Sequence, residues 1–237
     1  MARELNILTI AGLDPSGGAG MLADFSVFQE EGLRAHAVCT ALTAQNDTQC
    51  LWVKALGIEE ILLQLKPLLD AYEFSAFKIG MINNAMHLNS LLTVIKMYQP
   101  EVPIVWDPVL KSTAGTTLTE DFSKEELEFC LAHIDVLTPN IIESEKFLSI
   151  LGLSTWEAAK YAVVLKGGHD TDDLSTDILF QNGDQYPFSE KRLDAGIKGS
   201  GCRFASYLAS RIAKGDALQE AVPYAKQRLY TLLQTED

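Results

Sequence analysis

Short apolar runs alternate with helical patterns along the chain, and this alternation restricts the fold more than any other feature of the sequence. Each apolar run has the length of one buried strand, and the stretches between them space their leucines three and four residues apart, as helices do. Strands that alternate with helices are typical of a parallel sheet covered by helices. We therefore predict an α/β fold with strands at residues 5–10, 36–43, 76–80, 102–106, 135–137 and 162–166.

Local signals predict several helices and a final hairpin. Amphipathic stripes at residues 59–69 and 85–98 predict two helices packed on the sheet. A serine followed three residues later by glutamate is a capping box, which predicts two further helix starts, at Ser123 with Glu126 and at Ser154 with Glu157. Near the C-terminus Asn182-Gly183 predicts a hairpin turn, so antiparallel strands at residues 177–181 and 185–189 should follow the parallel ones.

Composition limits the remaining choices. A chain of 237 residues that is 47% hydrophobic suits one large α/β domain, here expected over residues 1–237. The chain has no apolar stretch of membrane-spanning length, and residues 1–4 lead into a strand instead of a signal peptide, so we expect a cytoplasmic protein. A net charge of −13 argues against nucleic acid or an anionic membrane as partner. Four widely separated cysteines without a histidine cluster argue against a structural metal.

A glycine-rich loop follows the first predicted strand. Four glycines lie among residues 12–20, and they let the backbone turn tightly and let a ligand approach the main chain. A helix predicted at residues 19–31 follows, with Leu22, Phe25 and Phe28 on one face. The loop is neither a P-loop nor a dinucleotide fingerprint. By itself it fits a ligand site and a tight connection equally well.

Polar or glycine-containing segments follow each predicted parallel strand. The carboxyl ends of parallel strands meet at one edge of a sheet, where open α/β sheets gather their ligand contacts. Turns are polar in any case, so a single such residue would mean little. Six consecutive cases predict a site, formed by Asp14, Gln45-Asn46, Met81, Asp107-Pro108, Thr138-Pro139-Asn140 and Lys166-Gly167-Gly168.

A second glycine motif, Gly199-Ser200-Gly201-Cys202, precedes an apolar helical pattern near the C-terminus. A helix N-terminus preceded by glycine presents backbone N–H groups and a positive dipole end, which together form an anion site. In that position, with Lys198 and Arg203 nearby, we expect the pKa of the Cys202 thiol to fall, so that it could act as a base or an orienting group. The alternative is a small buried thiol that packs in the first helical turn.

Taken together, these motifs resemble the hydroxymethylpyrimidine/phosphomethylpyrimidine kinases of thiamine biosynthesis, which belong to the ribokinase-like superfamily. The resemblance extends from about residue 5 to residue 233. It implies a three-layer sandwich with a mostly parallel sheet and a C-terminal antiparallel hairpin. It also implies ATP-dependent phosphorylation of a small-molecule substrate, 4-amino-5-hydroxymethyl-2-methylpyrimidine, and then of its monophosphate. Members of the family often form dimers, so the resemblance also makes a homodimer a possible assembly of this chain. The motifs that carry the resemblance are Thr9–Gly20, Ala41–Asn46, Lys78–Met81, Asp107–Val109, Thr138–Asn140 with Glu143, Lys166–His169 and Gly199–Cys202.

The resemblance assigns the first group of site residues to the pyrimidine. The amide of Gln45 has one acceptor and two donors, which complement the edge of an aminopyrimidine. Related pyridoxal-type kinases usually have an apolar residue there, so Gln45 favours a pyrimidine; a glutamine that caps a strand end is the alternative. The pocket positions implied by the resemblance are Gly12, Asp14, Ala19, Gln45, Met81 and Val109.

The remaining assignments concern phosphoryl transfer, which needs charge neutralisation and alignment. The resemblance implies that Asp107 and Glu143 help to hold Mg²⁺ through water. Cys202 would be the base, beside Gly199 and Gly201 of the anion hole and Lys166. Asp107 also fits a turn acid, and Lys166 a surface lysine after a strand. The residues implied to approach ATP are Thr138, Asn140, Lys166 and Ser200.

The chain also departs from the family pattern. The motif before the last helices usually reads His-Gly-Thr-Gly-Cys-Thr, whereas here Lys198 and Arg203 flank the glycines. These cations could tighten phosphate binding, or Arg203 could block the nucleotide. The segments 143–166 and 169–199 are also shorter than usual. Three hypotheses therefore stay open: an active pyrimidine kinase, a pyrimidine-binding protein with little or no kinase activity, and a kinase of pyridoxine or a related ring alcohol.

Overall fold

A computed structural model describes residues 4–110, 119, 122–167, 173–193 and 197–235. Strands and helices alternate along it, as the apolar runs predict. The strands are β1 (Asn6–Leu13), β2 (Arg34–Gln45), β3 (Cys50–Ala55), β4 (Phe74–Ile79), β5 (Ile104–Trp106), β6 (Val136–Leu137), β7 (Ala162–Leu165), β8 (Leu174–Gln181) and β9 (Asp184–Lys191). The helices are α1 (Gly20–Glu30), α2 (Ile58–Ala71), α3 (Ala85–Tyr98), α4 (Lys124–Leu131), α5 (Ile141–Leu151), α6 (Ser200–Ala213) and α7 (Leu218–Thr235).

All the strands belong to one sheet, in the order β3-β2-β1-β4-β5-β6-β7-β8-β9. Strands β2, β1, β4, β5, β6 and β7 pair in parallel, so their carboxyl ends lie at one edge. Strand β3 pairs antiparallel with β2, and β8 and β9 continue the other side antiparallel. The predicted α/β class, with its parallel centre and C-terminal hairpin, is confirmed.

Apolar side chains are buried on both faces of the sheet, which makes three layers. One face is covered by α2 to α5, whose leucines and aromatic rings include Leu65, Leu91, Leu127 and Phe147. The other face is covered by α1, α6 and α7, through residues such as Val27, Phe28, Phe204, Leu208 and Val222. Burial of these stripes against the sheet is the main stabilising contribution to such an architecture.

One of the two predicted capping boxes is present and the other is not. Ser123 Oγ accepts from Glu126 N at 3.2 Å, and the Glu126 carboxylate accepts from Ser123 N at 2.9 Å, at the start of α4. The helix predicted from Ser154 and Glu157 is wrong, because this segment is irregular. Its Trp156 is buried and donates its indole N–H to Ser144 Oγ at 2.7 Å, which pins the segment against α5.

Three further details differ from or extend the predictions. Strand β3 was not predicted, because Leu51 and Trp52 on it are exposed and it lacks a buried alternating pattern. The buried face of α1 carries Ala23, Asp24, Val27 and Phe28, whereas Leu22 is exposed. The predicted hairpin is confirmed, with positive φ at both turn residues, 56° at Asn182 and 87° at Gly183, as a two-residue type I′ turn requires.

Within the described ranges, no helix combines the length and the apolar character needed to cross a membrane.

Candidate active site

A cavity of about 1060 Å³ opens at the carboxyl edge of the parallel strands. The site residues that the family resemblance assigns line it, with the exception of Thr138. Of the other strand-end residues expected from the sequence, Asn46, Pro108, Pro139 and Gly167 do not line it. Thr138 is fully buried behind the wall, where its hydroxyl donates to Asp107 Oδ1 at 3.3 Å, so it supports the site from the layer below. The predicted residues that line the cavity are Gly12, Asp14, Ala19, Gln45, Met81, Asp107, Val109, Asn140, Glu143, Lys166, Gly199, Ser200, Gly201 and Cys202.

Asp14 organises the first glycine-rich loop. Its carboxylate accepts from Ser16 N at 3.0 Å, from Ser16 Oγ at 2.8 Å and from Ala19 N at 3.0 Å. It also forms an ion pair with Lys198 Nζ at 2.8 Å. Burial alone would raise the pKa of Asp14, but hydrogen bonds from Lys198, Ser16 and Gln45 outweigh it and hold the pKa below its ordinary value. Asp14 is therefore an ionised anchor for the loop.

The loop can approach its neighbours so closely only because glycines lie at the contacts. A Cβ on Gly20, where φ is +61°, would lie 2.3 Å from Gly12 O. A Cβ on Gly199, where φ is +74°, would lie 2.3 Å from Gly18 O. The backbone of the first loop therefore touches the loop that begins α6, and no larger residue fits at either contact.

One side of the cavity lies between the ends of β1, β2 and β4. Half-buried Gln45 ends β2, and buried Met81 follows β4. Met81 Sδ lies 3.0 Å from the position of a Cβ on Gly12, and Met81 O accepts from Thr40 Oγ1 at 2.7 Å. An apolar floor with one amide at its rim suits a flat, partly polar ring.

Buried acidic groups occupy the centre of the cavity wall. Asp107 Oδ1 accepts from Lys166 Nζ at 2.6 Å, whereas buried Asp107 Oδ2 makes no ordinary hydrogen bond to any described residue. Burial would raise the pKa of Asp107, but the charges of Lys166 and Lys78 and the hydrogen bond from Lys166 keep it below the ordinary value. Burial raises the pKa of Glu143, whose carboxylate accepts from Asn140 N at 2.9 Å.

The N-terminus of α6 lies beside this acidic pair. Gly199 is its N-cap, and Ser200, Gly201 and Cys202 form the first turn, where backbone N–H groups lack intrahelical acceptors. Lys166 Nζ lies 3.1 Å from the position of a Cβ on Gly201, so the lysine meets the helix end closely. This arrangement of a helix end and an ammonium group suits an anionic ligand.

The expected fall in the Cys202 pKa is wrong. Burial raises the pKa of the thiol to about 12, although the charge of Lys78 opposes the rise. The two cations flanking the motif do not help. Lys198 binds Asp14, and Arg203 is not among the described residues that line the cavity.

A buried ion pair beneath the site was not predicted. Lys78 and Asp24 are both inaccessible to solvent and lie 2.9 Å apart. The Asp24 carboxylate also accepts from Thr9 Oγ1 at 2.6 Å and from Ser206 Oγ at 2.8 Å. A lysine within the apolar run of β4 and an aspartate within the first helix were the available signals. The contacts of Asp24 with Thr9, Lys78 and Ser206 connect α1 to β1, β4 and α6 under the cavity.

The cavity is also lined by a second buried ion pair, which the sequence motifs do not predict. Lys226 Nζ on α7 lies 2.9 Å from Asp177 Oδ2 on β8, and Asp177 Oδ1 accepts from Gly167 N at 2.8 Å. The predicted segment Gly168–His169 lies outside the described residues. A lysine on the buried face of the last helix was the only available signal.

This fold and this site together define an α/β kinase of the ribokinase-like type. The model of the phosphomethylpyrimidine kinase family matches residues 14–236. The chain therefore belongs to the phosphomethylpyrimidine kinase family, as its motifs suggest. A hydroxymethylpyrimidine/phosphomethylpyrimidine kinase from Staphylococcus aureus (strain MSSA476) is 32% identical over 234 residues, which cover 93% of this chain and 84% of the relative.

Solved structures show the same architecture. A phosphomethylpyrimidine kinase from Clostridium difficile 630 superposes with a TM-score of 0.80 at 28% identity, covering 97% of this chain and 100% of the other. A pyridoxal kinase from Staphylococcus aureus in complex with AMP-PCP superposes with a TM-score of 0.80 at 25% identity, covering 95% and 86%.

Proposed function

We propose that residues 1–237 form a single kinase domain that transfers the γ-phosphoryl group of ATP to a hydroxymethyl aminopyrimidine and then to its monophosphate. One observation carries this proposal. The loop assigned to the pyrimidine and the helix end assigned to the phosphoryl group touch at Gly18 and Gly199, within one cavity. Phosphoryl transfer requires its two substrates in contact and in line, and this juxtaposition supplies the space for both.

Recognition of the acceptor ring is assigned to Gln45, Met81 and Gly12. The Gln45 amide can donate to a ring nitrogen and accept from an exocyclic amine. The amide lies at the cavity wall beside Asp14, which is itself held by the loop backbone. The contact between Met81 and Gly12 supplies a flat apolar surface for the ring. Val109, which also lines the cavity, completes the proposed pocket.

The phosphate side uses the α6 N-terminus and Lys166. Backbone N–H groups of Gly201 and Cys202 would face the transferring phosphoryl group, and Lys166 would neutralise its charge. Asn140 Oδ1 already accepts from Glu143 N at 2.9 Å as the cap of α5, so its NH₂ group is the part available to a phosphate. We assign Ser200 to the same anion site. We call this site, formed by Gly199–Cys202 and Lys166, the phosphoryl cradle.

Asp107 and Glu143 fit a magnesium ion that keeps water and phosphate ligands. The unpaired oxygen of Asp107 is buried at the cavity wall, and carboxylate oxygens are the ligands that Mg²⁺ prefers. Among the described residues, no group of three or more His, Cys, Asp and Glu side chains is arranged to hold a metal. A two-carboxylate site is what a nucleotide-bound Mg²⁺ requires. When bound, the ion would neutralise charge on the phosphates.

Cys202 is assigned an orienting role. A base would need a thiolate, and a pKa of about 12 leaves almost none at neutral pH. The protonated thiol belongs to the first turn of α6 and lines the same cavity as Asp107. We therefore propose that it positions the acceptor hydroxyl, whose proton is lost late when the transition state is loose.

A coupled assay with ATP and Mg²⁺ tests the function on both acceptors. We expect turnover of the pyrimidine alcohol and of its monophosphate, and a large loss of kcat in Cys202→Ala. Cys50→Ala is the matched control, since Cys50 lies outside the cavity lining. The absence of turnover on both acceptors would reject the proposal. Titration calorimetry with AMP-PCP distinguishes an active kinase from an inactive pyrimidine-binding protein. The kinase would bind both AMP-PCP and the pyrimidine, whereas the inactive protein would bind the pyrimidine alone.

A second candidate is a kinase of pyridoxine or a related ring alcohol. The structural similarity to a pyridoxal kinase favours it. Gln45 distinguishes the two, because a pyridine without the exocyclic amine cannot use both functions of the amide. We expect Gln45→Met to weaken the pyrimidine and to improve competition by pyridoxine. Unchanged preference in this variant would remove Gln45 as the selective residue.

A further inference from the structure

Lys198 connects three separate segments at the mouth of the acceptor pocket. Its ammonium group contacts Asp14 Oδ2 at 2.8 Å, donates to Ser16 Oγ at 3.0 Å and donates to the backbone carbonyl of Asn46 at 2.7 Å. Asp14 and Ser16 lie in the loop after β1, and Asn46 follows β2. Lys198 itself immediately precedes Gly199, the N-cap of α6.

The three contacts use all the hydrogens of the ammonium group, since a lysine has three donors. Lys198 therefore has no free N–H for a phosphate, although it lies next to the phosphoryl cradle. Its side chain is 14% exposed and its partner Asp14 is 1% exposed, so the pair is shielded from salt and water. A shielded, fully bonded cation is suited to holding structure in place and is poorly suited to catching a ligand.

The stem of Lys198 also crosses the first loop. Its Cδ lies 3.2 Å from the position of a Cβ on Gly18, and the neighbouring Gly199 contacts Gly18 and Ala19. The acceptor loop is thus held to the phosphoryl cradle by backbone contact and by the lysine. The charged groups that face Lys198 in the described residues are Asp14 and, across Gly18, Asp47.

We propose that Lys198 is a positioning residue that sets the acceptor pocket at a fixed place relative to the phosphoryl cradle. It holds Asp14 in the loop after β1 and the backbone of Asn46, the residue that follows Gln45, and so determines the affinity for the acceptor. Nucleotide affinity does not depend on it. This inference rests on the proposed function, because it assumes that the acceptor binds beside Gln45.

Lys198→Met tests the inference by removing the charge and the three donors while keeping the stem. We expect acceptor affinity, measured by calorimetry and as KM, to fall at least about tenfold, the scale of one lost charged hydrogen bond. The affinity for AMP-PCP should change less than about twofold, well below that scale. Lys198→Arg should restore part of the acceptor affinity. Exposed Lys160, outside the cavity, gives the control variant Lys160→Met.

Lys198→His offers a second readout, the pH dependence of acceptor KM, which a merely structural role of Lys198 would not change. An imidazolium at pH 6 can keep the ion pair with Asp14, whereas a neutral imidazole at pH 8 loses it. Acceptor KM of this variant should therefore rise between pH 6 and pH 8 more than KM of the wild type does.

Two results would overturn the inference. One is an unchanged acceptor affinity in Lys198→Met together with the same pH profile in Lys198→His as in the wild type. The other is an equal weakening of acceptor and AMP-PCP in Lys198→Met. Failure of the proposed function looks different, because the wild-type protein itself would then neither bind nor phosphorylate the aminopyrimidine.

Discussion

Replacing Lys78 by methionine should destabilise the protein through the charge left behind on Asp24. Methionine keeps the packing of the lysine stem but removes the ammonium group. Lys78 and Asp24 are both inaccessible to solvent, and their atoms lie 2.9 Å apart. The proximity of Asp24 outweighs burial and raises the pKa of Lys78, so the ammonium group stays charged at neutral pH. Removing one partner leaves an uncompensated buried carboxylate.

The expected cost follows from this geometry. Breaking a buried ion pair in this way costs about 3–5 kcal/mol. Asp24 keeps the hydroxyl donors of Thr9 and Ser206, which places the Lys78→Met variant near the lower end of that range. For a chain of this size, roughly 3 kcal/mol corresponds to a fall in Tm of roughly 6–12 °C. It is also a large part of a typical folding free energy of about 5–15 kcal/mol.

Urea unfolding followed by tryptophan fluorescence measures this cost, since Trp106 and Trp156 are buried. The decisive comparison is the double variant Lys78→Met/Asp24→Asn, which removes both charges. We expect it to be more stable than the sum of the single effects predicts, by about 2–3 kcal/mol, within the range measured for contacting pairs. If the two single effects simply add, the loss comes from packing and the argument from unpaired charge is wrong.

Three further predictions concern the site. Gly199→Ala should lose activity and about 1–3 kcal/mol of stability, because its Cβ would strike Gly18 O, whereas Gly215→Ala, also at positive φ but in open space, should keep its activity. In the folded protein Cys202 should react with iodoacetamide roughly 100-fold or more slowly than in urea, because its raised pKa leaves little thiolate; rapid labelling in a mass-spectrometric assay would contradict this. The lowered pKa of Asp14 means that its carboxylate stabilises the fold above its ordinary pKa and loses this effect as the pH falls through the lowered value. Asp14→Asn should therefore cost about 1.5–3 kcal/mol at pH 7 and less in acid, and an equal cost at both pH values in urea titrations would count against it.

Much of the fold could be predicted because its signals are local. The stripe of α3 predicts the bounds that the structure shows, Ala85–Tyr98, since the apolar spacing lies within that segment. The Asn182-Gly183 turn and the capping box at Ser123 are likewise complete within a few residues. Strand β3 lacks a buried face, and Ser154 is followed by a buried tryptophan, so local signals were missing or misleading there.

The site was partly predictable for a different reason. The rule that parallel strands end at one edge brings Asp14, Gln45, Met81, Asp107 and Lys166 to one cavity without any knowledge of side-chain contacts. The protonation of Cys202 could not be predicted in this way. The pKa of the thiol is raised by its burial. The cation that opposes this rise is Lys78, which is distant in the sequence.

The sequence by itself determined the alternating elements, the glycines at both loops and the family to which the chain belongs. Only the tertiary structure decided which charges meet. Lys78 binds Asp24, which is 54 residues away in the sequence, and Lys198 binds Ser16, which is 182 residues away. Periodicity and turn propensity act over a few residues, whereas burial and ion pairing depend on which segments the folded sheet brings together. The two flanking cations illustrate this point, because Lys198 binds Asp14 and lines the cavity, whereas Arg203 is not among the described residues that line it.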